Sequence, residues 1–338
     1  MTLLVRSAVL TNYLEVTRHL QLDVDELLIE ANLSPSLIND ANAHISARAA
    51  ANLLERSAQL SGCDTLGLRM AELRQLADFG EVSLLLSHQQ TLRDALNVIV
   101  QYRHLLNNSL AIFIEETGKT VMIRVELIHE SGSQSRQSIE LAIAVTHRFC
   151  AALLGVHWRP LSVCFTHQAP ADLSVHRRVF GCKAEFGCEF NGIACLATHL
   201  DSTNPLGNEA MARHAERYLN SLKGKNEPSL AFDVRKSIYL LMPMGKATPE
   251  YIAQSQGMNI RTMQRRLEAD GTRFSELFNE VRCDLVIRYL KNPGYSLGRI
   301  SDMLGYSMPS SFTRWFNAQF GKSPVAWRTE YKIINSAP

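Results

Sequence analysis

One short pattern occurs twice in the last third of the chain, and it constrains the fold more than any other feature. The two copies are Ile252-Ala253, Gly257-Met258-Asn259, Met263 and Leu267, then Ile300-Ser301, Gly305-Tyr306-Ser307, Phe312 and Phe316. Their first halves match at an offset of 48 residues and their second halves at 49. In each copy a glycine follows one short helix and precedes another with an apolar stripe, which predicts two helix-turn-helix units. Two such units joined by a helix indicate a module that binds successive major-groove segments of DNA.

The first unit has clear helix start signals. Thr248-Pro249 predicts an N-cap followed by proline at the first helical position, with a helix over Pro249–Gln256. Asn259 is the predicted cap of a second helix, Ile260–Ala269, with Ile260 on its inner stripe beside the repeated Met and Leu. The residues on the opposite side are Arg261, Gln264, Arg265 and Glu268. Arginine and glutamine make bidentate contacts to guanine and adenine edges, so this side is the predicted base-reading face.

The second unit follows a predicted connecting helix, Ser275–Lys291, which Asn292-Pro293-Gly294 ends. Its two helices are predicted over Leu297–Leu304 and Pro309–Phe320. Pro309 at the first helical position explains the extra residue in this turn. The outward residues are Ser310, Ser311, Thr313 and Arg314. A preceding helix, Leu230–Met242, and a final one, capped by Ser323-Pro324 and running to Tyr331, complete the all-α domain predicted over 229–335.

The remainder of the chain mixes helical and strand periods, which predicts an α+β domain over 1–205. Only helices are predicted before residue 77. The next elements are a helix over Leu92–Leu106 capped by Thr91, a hairpin of Ser109–Glu116 and Thr120–His129, a helix over Ser138–Leu154 with Gly155 in a Schellman-like cap, a strand over Leu161–His167, a helix over Ala171–Phe180, and a strand pair of Glu185–Phe190 and Ile193–Thr198. A helix over Leu206–Leu222, with Met211, Ala215, Tyr218 and Leu222 on one face, then leads into the polar linker Lys223–Pro228, so 206–228 separates the two domains.

Charge supports the assignment of DNA binding to the C-terminal third. Residues 228–338 hold 15 Lys and Arg against 9 Asp and Glu, whereas residues 1–227 hold 20 against 24. A basic module beside an acidic one is expected when only the basic one contacts phosphate. No run of about 18 apolar residues is present, and charges fall too early in the N-terminus for a signal peptide. The sequence therefore predicts a cytoplasmic protein with no membrane partner.

Seven cysteines are present without CxxC spacing, and reduced, mostly buried thiols are the favoured interpretation. Cys182, Cys188 and Cys195 cluster in sequence, which leaves a redox or thiol-sensing role open. No phosphate loop, HExxH or GxSxG motif occurs, so we predict no catalytic residues, no cofactor, no resident metal and no enzyme activity.

The C-terminal third resembles the AraC/XylS family of bacterial transcription regulators. The segments that carry the resemblance are Ile300–Ser307, Ser311–Phe316, Phe320–Pro324 and Trp327-Arg328. The resemblance implies base-facing roles for Arg261, Gln264 and Arg265 in the first unit, and for Ser310, Ser311 and Arg314 in the second. Family members often have a polar residue in place of Pro309, so the second helix is expected to rely on Arg314 and on backbone contacts. The full predicted DNA-binding set is Asn259, Arg261, Thr262, Gln264, Arg265, Ser310, Ser311, Thr313 and Arg314.

The first two-thirds resemble the effector-binding domain of the ornithine-utilisation regulator and VirS type. The segments that carry this resemblance are Gly80, Thr91–Leu96 with Tyr102, Leu154–Pro160, Phe180–Cys182 and Phe186-Gly187. The long helical start differs from the cupin-type sugar pocket of other family branches. The resemblance implies an unidentified small-molecule effector, RNA polymerase as a partner and a possible homodimer. Arg136 and Arg148 are candidates for contacting a carboxylate effector, although a structural ion pair is the favoured reading of each.

Two functions therefore compete. The leading hypothesis is a ligand-responsive transcription regulator that binds promoter DNA sequence-specifically through two recognition helices. In it, differential affinity of the effector for two states of the protein supplies the switch. The alternative is a redox- or thiol-sensing protein, or an enzyme, fused to a DNA-binding domain. The reactivity of the thiols in the folded protein distinguishes the two.

Overall fold

The computed structural model describes residues 3–128, 135–155, 157–221 and 229–336. The chain forms two compact units, Met1–Glu227 and Pro228–Pro338. The first is α+β and the second is all-α, as predicted. The linker predicted at 223–228 lies outside the described residues. Across the described ranges, no helix combines the length and the apolarity needed to cross a lipid bilayer.

The first unit opens with a helical layer. Its helices are α1 (Tyr13–His19), α2 (Val24–Glu30), α3 (Pro35–Asn39), α4 (Ala47–Ser61), α5 (Leu66–Leu73), α6 (Val82–Ser87), α7 (Leu92–Gln101) and α8 (Arg103–Leu106). Short 3-10 turns lie at Ser7–Leu10 and Leu76–Phe79. The prediction of helices alone was wrong, because β1 (Leu4–Arg6) pairs antiparallel with β2 (His44–Ser46). Strands of three residues are too short to show a period of two in the sequence.

The single helix predicted over 92–106 is interrupted at Tyr102. Thr91 caps α7 as predicted, since its Oγ1 accepts a hydrogen bond from the backbone N–H of Asp94 at 3.1 Å. Tyr102 leaves the helical conformation, is buried and donates a hydrogen bond to Asn220 Oδ1 at 3.2 Å. The guanidinium of Arg103 donates to the carbonyl of Val100 at 2.7 Å, which satisfies an acceptor at the end of α7.

The five strands of the main sheet are β3 (Leu110–Thr117), β4 (Thr120–Leu127), β5 (Ser162–Cys164), β6 (Lys183–Glu185) and β7 (Gly192–Leu196). Their order is β3-β4-β7-β5-β6, with only β5 and β6 parallel. The β3–β4 hairpin was predicted correctly and turns at Gly118, with φ +61°; His129, at the predicted end of its second strand, lies outside the described residues. The predicted pairing of β6 with β7 was wrong, because β5 inserts between them and places Val163 opposite Ile193.

Helix α9 (Arg136–Leu154) lies between the sheet and the helical layer, in contact with α4, α5 and β4. It ends as predicted before Gly155, but the Schellman-like cap was wrong. Gly155 has φ +99° and ψ 150°, outside the left-handed helical region that this cap requires.

Three helices complete the first unit: α10 (Ser174–Phe180), α11 (Ala197–Leu200) and α12 (Glu209–Ser221). Helix α12 packs on α6 through a stripe that contains Ala215 and Leu219, both buried. The predicted stripe was wrong in part, because Met211 and Tyr218 are exposed; Leu222 lies outside the described residues.

The second unit consists of α13 (Leu230–Leu241), α14 (Pro249–Ser255), α15 (Ile260–Ala269), α16 (Phe274–Lys291), α17 (Leu297–Met303), α18 (Pro309–Phe320) and α19 (Pro324–Ser336). Helix α13 packs along α16, and Arg235 of α13 forms an ion pair with Asp284 of α16 at 2.6 Å. Helix α16 has 18 residues, so it is about 27 Å long at 1.5 Å per residue. It joins the α14–α15 pair to the α17–α18 pair.

Candidate nucleic-acid interface

The turn between α14 and α15 is closed by two backbone hydrogen bonds. The N–H of Gly257 donates to Gln254 O at 2.9 Å, and the N–H of Met258 donates to Ala253 O at 3.0 Å. Gly257 has φ +68°, a conformation that residues with a Cβ rarely adopt. The glycine therefore lets α14 end while its last carbonyls remain hydrogen-bonded.

The turn between α17 and α18 repeats this geometry. The N–H of Gly305 donates to Asp302 O at 2.9 Å, and the N–H of Tyr306 donates to Ser301 O at 3.0 Å. Gly305 has φ +79°. Each donor and acceptor lies 48 residues after its counterpart in the first turn, so the sequence repeat corresponds to a repeated backbone structure.

The starts of α14 and α17 are also equivalent. Thr248 Oγ1 accepts a hydrogen bond from the N–H of Tyr251 at 3.2 Å. Ser296 Oγ accepts one from the N–H of Arg299, also at 3.2 Å. A hydroxyl cap therefore fixes the entry to both helix-turn-helix units.

Helix α15 has a buried face and a polar exposed face. Met263 and Leu267 are fully buried, which anchors the helix to the unit. Arg261, Gln264 and Arg265 are exposed, as their spacing predicts. Within the described residues, none of these three side chains forms a hydrogen bond or an ion pair, so their polar groups are available to a ligand.

Asn259 and Thr262, the other predicted residues of this unit, lie at the start of α15. Asn259 Oδ1 accepts a hydrogen bond from the N–H of Thr262 at 2.8 Å and caps the helix. Asn259 is exposed, whereas Thr262 is half-buried. The amide NH2 of Asn259 and the positive end of the helix dipole suit a phosphate rather than a base edge.

Helix α18 starts at Pro309, as predicted, and has no side-chain cap. Phe312 and Phe316 are buried on its inner face. Ser310 and Ser311 are exposed at its N-terminal end. Serine side chains are short, so these hydroxyls are better placed to contact the phosphate backbone than to reach base edges in the groove.

The side chains of Arg314 and Thr313 differ in whether their polar groups are free to contact DNA. Arg314 is exposed, and no residue that the structure describes pairs with its guanidinium. Thr313 is half-buried, and its hydroxyl donates to the carbonyl of Pro309 at 3.0 Å. The structure therefore places Arg314 on the exposed face and turns the Thr313 hydroxyl toward the helix backbone.

Arg265 and Arg314 occupy equivalent positions, 49 residues apart, one turn into their helices. Glu268 and Asn317 form the next equivalent pair, and both are exposed. Asn317 was not predicted as a site residue, although the 3.6-residue period that continues from Arg314 identifies it. Its amide could pair with adenine, whereas the carboxylate of Glu268 accepts from cytosine.

Not every arginine of the C-terminal domain is available to contact DNA. Arg282 of α16 is half-buried over the rings of Tyr306 and Trp315, and its Nε donates to the carbonyl of Leu304 at 3.1 Å. Burial lowers the pKa of this guanidinium from its usual value. Arg282 therefore holds the second helix-turn-helix against α16. Because this arginine is engaged inside the protein, the C-terminal domain has less positive charge available to DNA than its count of basic residues indicates.

The first unit contains one group of possible metal ligands among the residues that the structure describes. The ligand atoms of Cys164, Glu185 and Cys188 lie within 4.8 Å of one another. Cys182, Cys188 and Cys195, which lie close together in the sequence, do not form such a group, and the thiol next to Cys188 is that of Cys164. Cys164 and Glu185 lie opposite each other on β5 and β6.

The thiols of this unit differ in acidity. A hydrogen bond with Cys164 lowers the pKa of Cys188 to about 7, and Cys188 is half-buried. Burial raises the pKa values of Cys182 and Cys195 to about 11. Of the three cysteines that the sequence nominated for a reactive role, only Cys188 has the properties of a reactive thiol.

Comparison with known proteins identifies both units. A family model described as a helix-turn-helix domain matches residues 252–330. A second model, described as the arabinose-binding domain of AraC transcription regulator, N-terminal, matches residues 22–204, which is more than half of the chain. The chain belongs to the AraC family of transcription regulators. This confirms the resemblance found in the sequence.

Two relatives in this family match over most of the chain, and a third matches over a quarter of it. The HTH-type transcriptional regulator VirS of Mycobacterium tuberculosis is 29% identical over 331 residues, which are 96% of each protein. The ornithine utilization regulator of Pseudomonas aeruginosa is 22% identical over 300 residues, or 88% of each protein. The transcriptional activator NphR of a Rhodococcus species is 33% identical over 85 residues, 25% of each protein. AraC-type helix-turn-helix regulators bind DNA, which is consistent with the exposed arginines of α15 and α18.

Proposed function

We propose that this AraC-family chain is a ligand-responsive transcription regulator that binds promoter DNA sequence-specifically through α15 and α18. The observation that carries the proposal is the pair Arg265 and Arg314. They occupy equivalent positions on two helices that follow equivalent turns, and their forks are exposed and unpaired within the described residues. An arginine in this position forms two hydrogen bonds to O6 and N7 of guanine in the major groove.

The roles of the predicted residues follow from their surroundings. Arg261, Gln264, Arg265 and Arg314 are proposed to contact base edges because their polar groups are exposed and unengaged. Asn259, Thr262, Ser310 and Ser311 are proposed to position the helices on phosphate, because they lie at the first turns where N–H groups point outward. Thr313, one turn further along α18, is proposed to lie beside the DNA backbone, with its hydroxyl donating to the carbonyl of Pro309.

A selection experiment tests sequence-specific binding. The purified full chain would be used to enrich duplexes from a random pool, and its affinity for the enriched duplex would be compared with that for a scrambled one at about 150 mM salt. We expect a ratio on the order of a thousandfold or more, the range typical of specific DNA-binding proteins. Equal affinity for the two duplexes would contradict the proposal.

We further propose the division of labour and the partners. Residues 1–205 form the regulatory domain, 206–228 the connecting helix and linker, and 229–335 the DNA-binding domain. Because the relative NphR is named a transcriptional activator, we propose activation through contact with RNA polymerase. Transcription from a template bearing the enriched site, with and without the chain, tests this; a decrease on addition of the chain would contradict it.

A homodimer is proposed through α12, whose Met211 and Tyr218 remain exposed on the first unit. Exposed large apolar side chains on one helix suit contact with a second copy of the same helix. Light scattering of the parent and of Tyr218→Arg tests this. We expect a dimer for the parent and a monomer for the variant; a monomeric parent would contradict the proposal.

The thiol-sensing alternative rests on Cys188 alone. The hydrogen bond with Cys164 lowers the pKa of Cys188, which favours its thiolate, and thiolates are the reactive form. Iodoacetamide labelling of the folded chain followed by peptide mapping tests it. Rapid, selective labelling of Cys188 together with a change in DNA affinity supports the alternative, whereas labelling without a change in DNA affinity counts against it.

A further inference from the structure

A partly enclosed cavity of about 140 Å³ lies inside the first unit. Its walls come from α4, α9, β3 and the segment that precedes α1. Small side chains create the space, since α4 contributes Ala47, Ala50 and Ala51 and α9 contributes Ala142. Larger apolar residues, among them Phe149, close the other sides. A dry cavity of about this size holds a molecule as large as benzene.

Arg74 is the charged residue that sets the chemistry of this cavity. It lines the space although only 8% of its surface is exposed. Its guanidinium donates one hydrogen bond, to the carbonyl of Val9 at 2.9 Å, and its Nε has no acceptor. No carboxylate among the described residues forms an ion pair with it. Burial lowers the pKa of Arg74 to about 10, so the group remains charged at neutral pH.

Arg6 and Asp78, the other charged residues at the cavity, form no ion pair with Arg74, although the nearby carboxylate of Asp78 partly offsets the effect of burial on the pKa of Arg74. Asp78 lies at the cavity wall, outside ion-pair distance of Arg74, and its Oδ2 accepts a hydrogen bond from the N–H of Gln75 at 2.8 Å. Arg6 donates to the carbonyl of Leu105 at 2.7 Å and to the Oδ1 of Asn42 at 2.5 Å. A buried, incompletely hydrogen-bonded cation is costly, and a carboxylate is the group that best compensates it.

The two arginines that the sequence nominated for an effector carboxylate are already engaged. Arg136 forms ion pairs with Glu140 at 3.1 Å and with Asp64 at 3.7 Å. Arg148 donates two hydrogen bonds to the backbone carbonyl of Arg74, at 3.0 and 2.8 Å. Arg148 thus fixes the backbone that presents Arg74 and is not itself the anion contact.

We propose that this cavity is the effector site, and that it binds a small carboxylate with an apolar body of about one aromatic ring or six carbons. The carboxylate pairs with the fork of Arg74, and the apolar body fills the space between the alanines of α4 and Ala142. A ring is favoured over a longer chain because the volume matches one ring. The inference rests on the ligand-responsive part of the proposed function, and it names the ligand class and the residue that recognises its charge.

The test uses the full chain and three probes of similar size: benzoate, hexanoate and the uncharged benzamide. Calorimetric titration at neutral pH, without DNA, measures the affinity for each. We expect benzoate to bind at least tenfold more tightly than benzamide, because only the carboxylate compensates Arg74. Absence of binding by both carboxylates at millimolar concentration, or equal affinity for benzoate and benzamide, would overturn the proposal.

Two variants locate the site. Arg74→Met should lose at least tenfold in affinity for benzoate while retaining that for benzamide. Ala142→Leu should lose affinity for all three probes, because its side chain fills the cavity. Its melting temperature should be no lower than that of the parent, since cavity-filling substitutions commonly stabilise a fold. If Ala142→Leu binds benzoate as tightly as the parent does, the probe binds outside this cavity and the proposal is wrong. This outcome is decisive even if Arg74→Met does not fold. Affinity for the enriched duplex, measured without any probe, reports separately on the DNA-binding function.

Discussion

Arg265 and Arg314 are matched in position but not in surroundings. Arg265 shares its exposed face with Arg261, whereas Arg314 follows the serines Ser310 and Ser311. A second arginine on the same face allows the first helix to contact two base pairs through planar forks. The first helix-turn-helix, α14–α15, is therefore expected to carry more of the sequence discrimination than the second, α17–α18.

Substitution of Arg314 tests its readout directly. Arg314→Ala should weaken binding to the enriched duplex by about 1–3 kcal/mol, the usual range for one bidentate base contact. Arg314→Lys is the matched control, because it keeps the charge and loses the fork. If Arg314 reads guanine, lysine restores only part of the affinity. Full restoration by lysine assigns Arg314 to phosphate, and no loss in Arg314→Ala removes it from the interface.

His147 gives a residue-scale prediction for the first unit. It is buried on α9 against Trp158 and Phe180. Burial, with smaller effects from Arg159 and Arg148, lowers the pKa of His147 to about 4. In the unfolded chain the histidine binds a proton at a pKa of about 6.5. Above that pH the imidazole is neutral in both states, so the stability of the fold is fully present there; below it, protonation of the unfolded chain favours unfolding. That stability is lost as the pH falls from about 6.5 toward 4.

Chemical unfolding at pH 7.5 and pH 5 measures this effect. The parent should lose about 2 kcal/mol of unfolding free energy from His147 over this interval, and His147→Leu should lose correspondingly less. His44→Leu, a change at an exposed histidine, is the control and should behave as the parent does. A His147→Leu variant with the full pH dependence of the parent would contradict the assignment.

The local sequence predicted which arginines of α15 and α18 are exposed, but it did not predict the burial of Arg74. The exposure of Arg261, Arg265 and Arg314 follows from a 3.6-residue period that a short window contains. Arg74 follows α5 with no such signal, and its burial depends on Val9, which lies 65 residues earlier. Contacts between distant segments decide whether a charged residue is buried, so the candidate effector residue emerged only from the structure.

At the scale of elements, the two glycine turns are the most specific feature. Gly257 has φ +68°, and a Cβ added there would meet no atom within 4 Å. Any effect of Gly257→Ala must therefore come from backbone strain. Gly298, inside α17, is the matched control because it has an ordinary helical φ and ample space.

The two alanine substitutions should change stability in opposite directions. Gly257→Ala should destabilise the chain by about 1–2 kcal/mol, the cost of the left-handed conformation for a residue with a Cβ. Gly298→Ala should stabilise it by about 0.5–1 kcal/mol, since alanine is the better helix former. Urea unfolding followed by tryptophan fluorescence, to which Trp315 and Trp327 contribute, measures both. A neutral Gly257→Ala would show that the turn does not require glycine.

Elements with capping and turn signals were predictable, and those defined by tertiary contacts were not. Thr91 and Gly118 marked a helix start and a hairpin correctly because their signals are local. The placement of β5 between β6 and β7 depends on which strands bury Val163 and Ile193 together. The break at Tyr102 depends on burial of its ring and its hydrogen bond to Asn220, and no capping residue announces it.

At the scale of the molecule, charge is divided unevenly between the two units. The net charge of +6 lies on residues 228–338, beside −4 on residues 1–227. Binding of the basic unit to DNA releases condensed cations, so affinity must fall as salt rises. If four phosphates are neutralised, the affinity for the enriched duplex should drop about a hundredfold between roughly 50 and 200 mM salt. An affinity that stays constant across this range is incompatible with phosphate contacts.

The most direct test of two-helix recognition is a base-pair scan of the enriched duplex. Each position is substituted in turn, and the affinity of the parent, Arg265→Ala and Arg314→Ala is measured at fixed salt. For the parent we predict two blocks of sensitive positions, centred about 10 base pairs apart, with losses of about 1–3 kcal/mol per mismatch. Arg265→Ala should flatten one block and Arg314→Ala the other. A single block, or two blocks that both variants leave intact, would contradict recognition through α15 and α18.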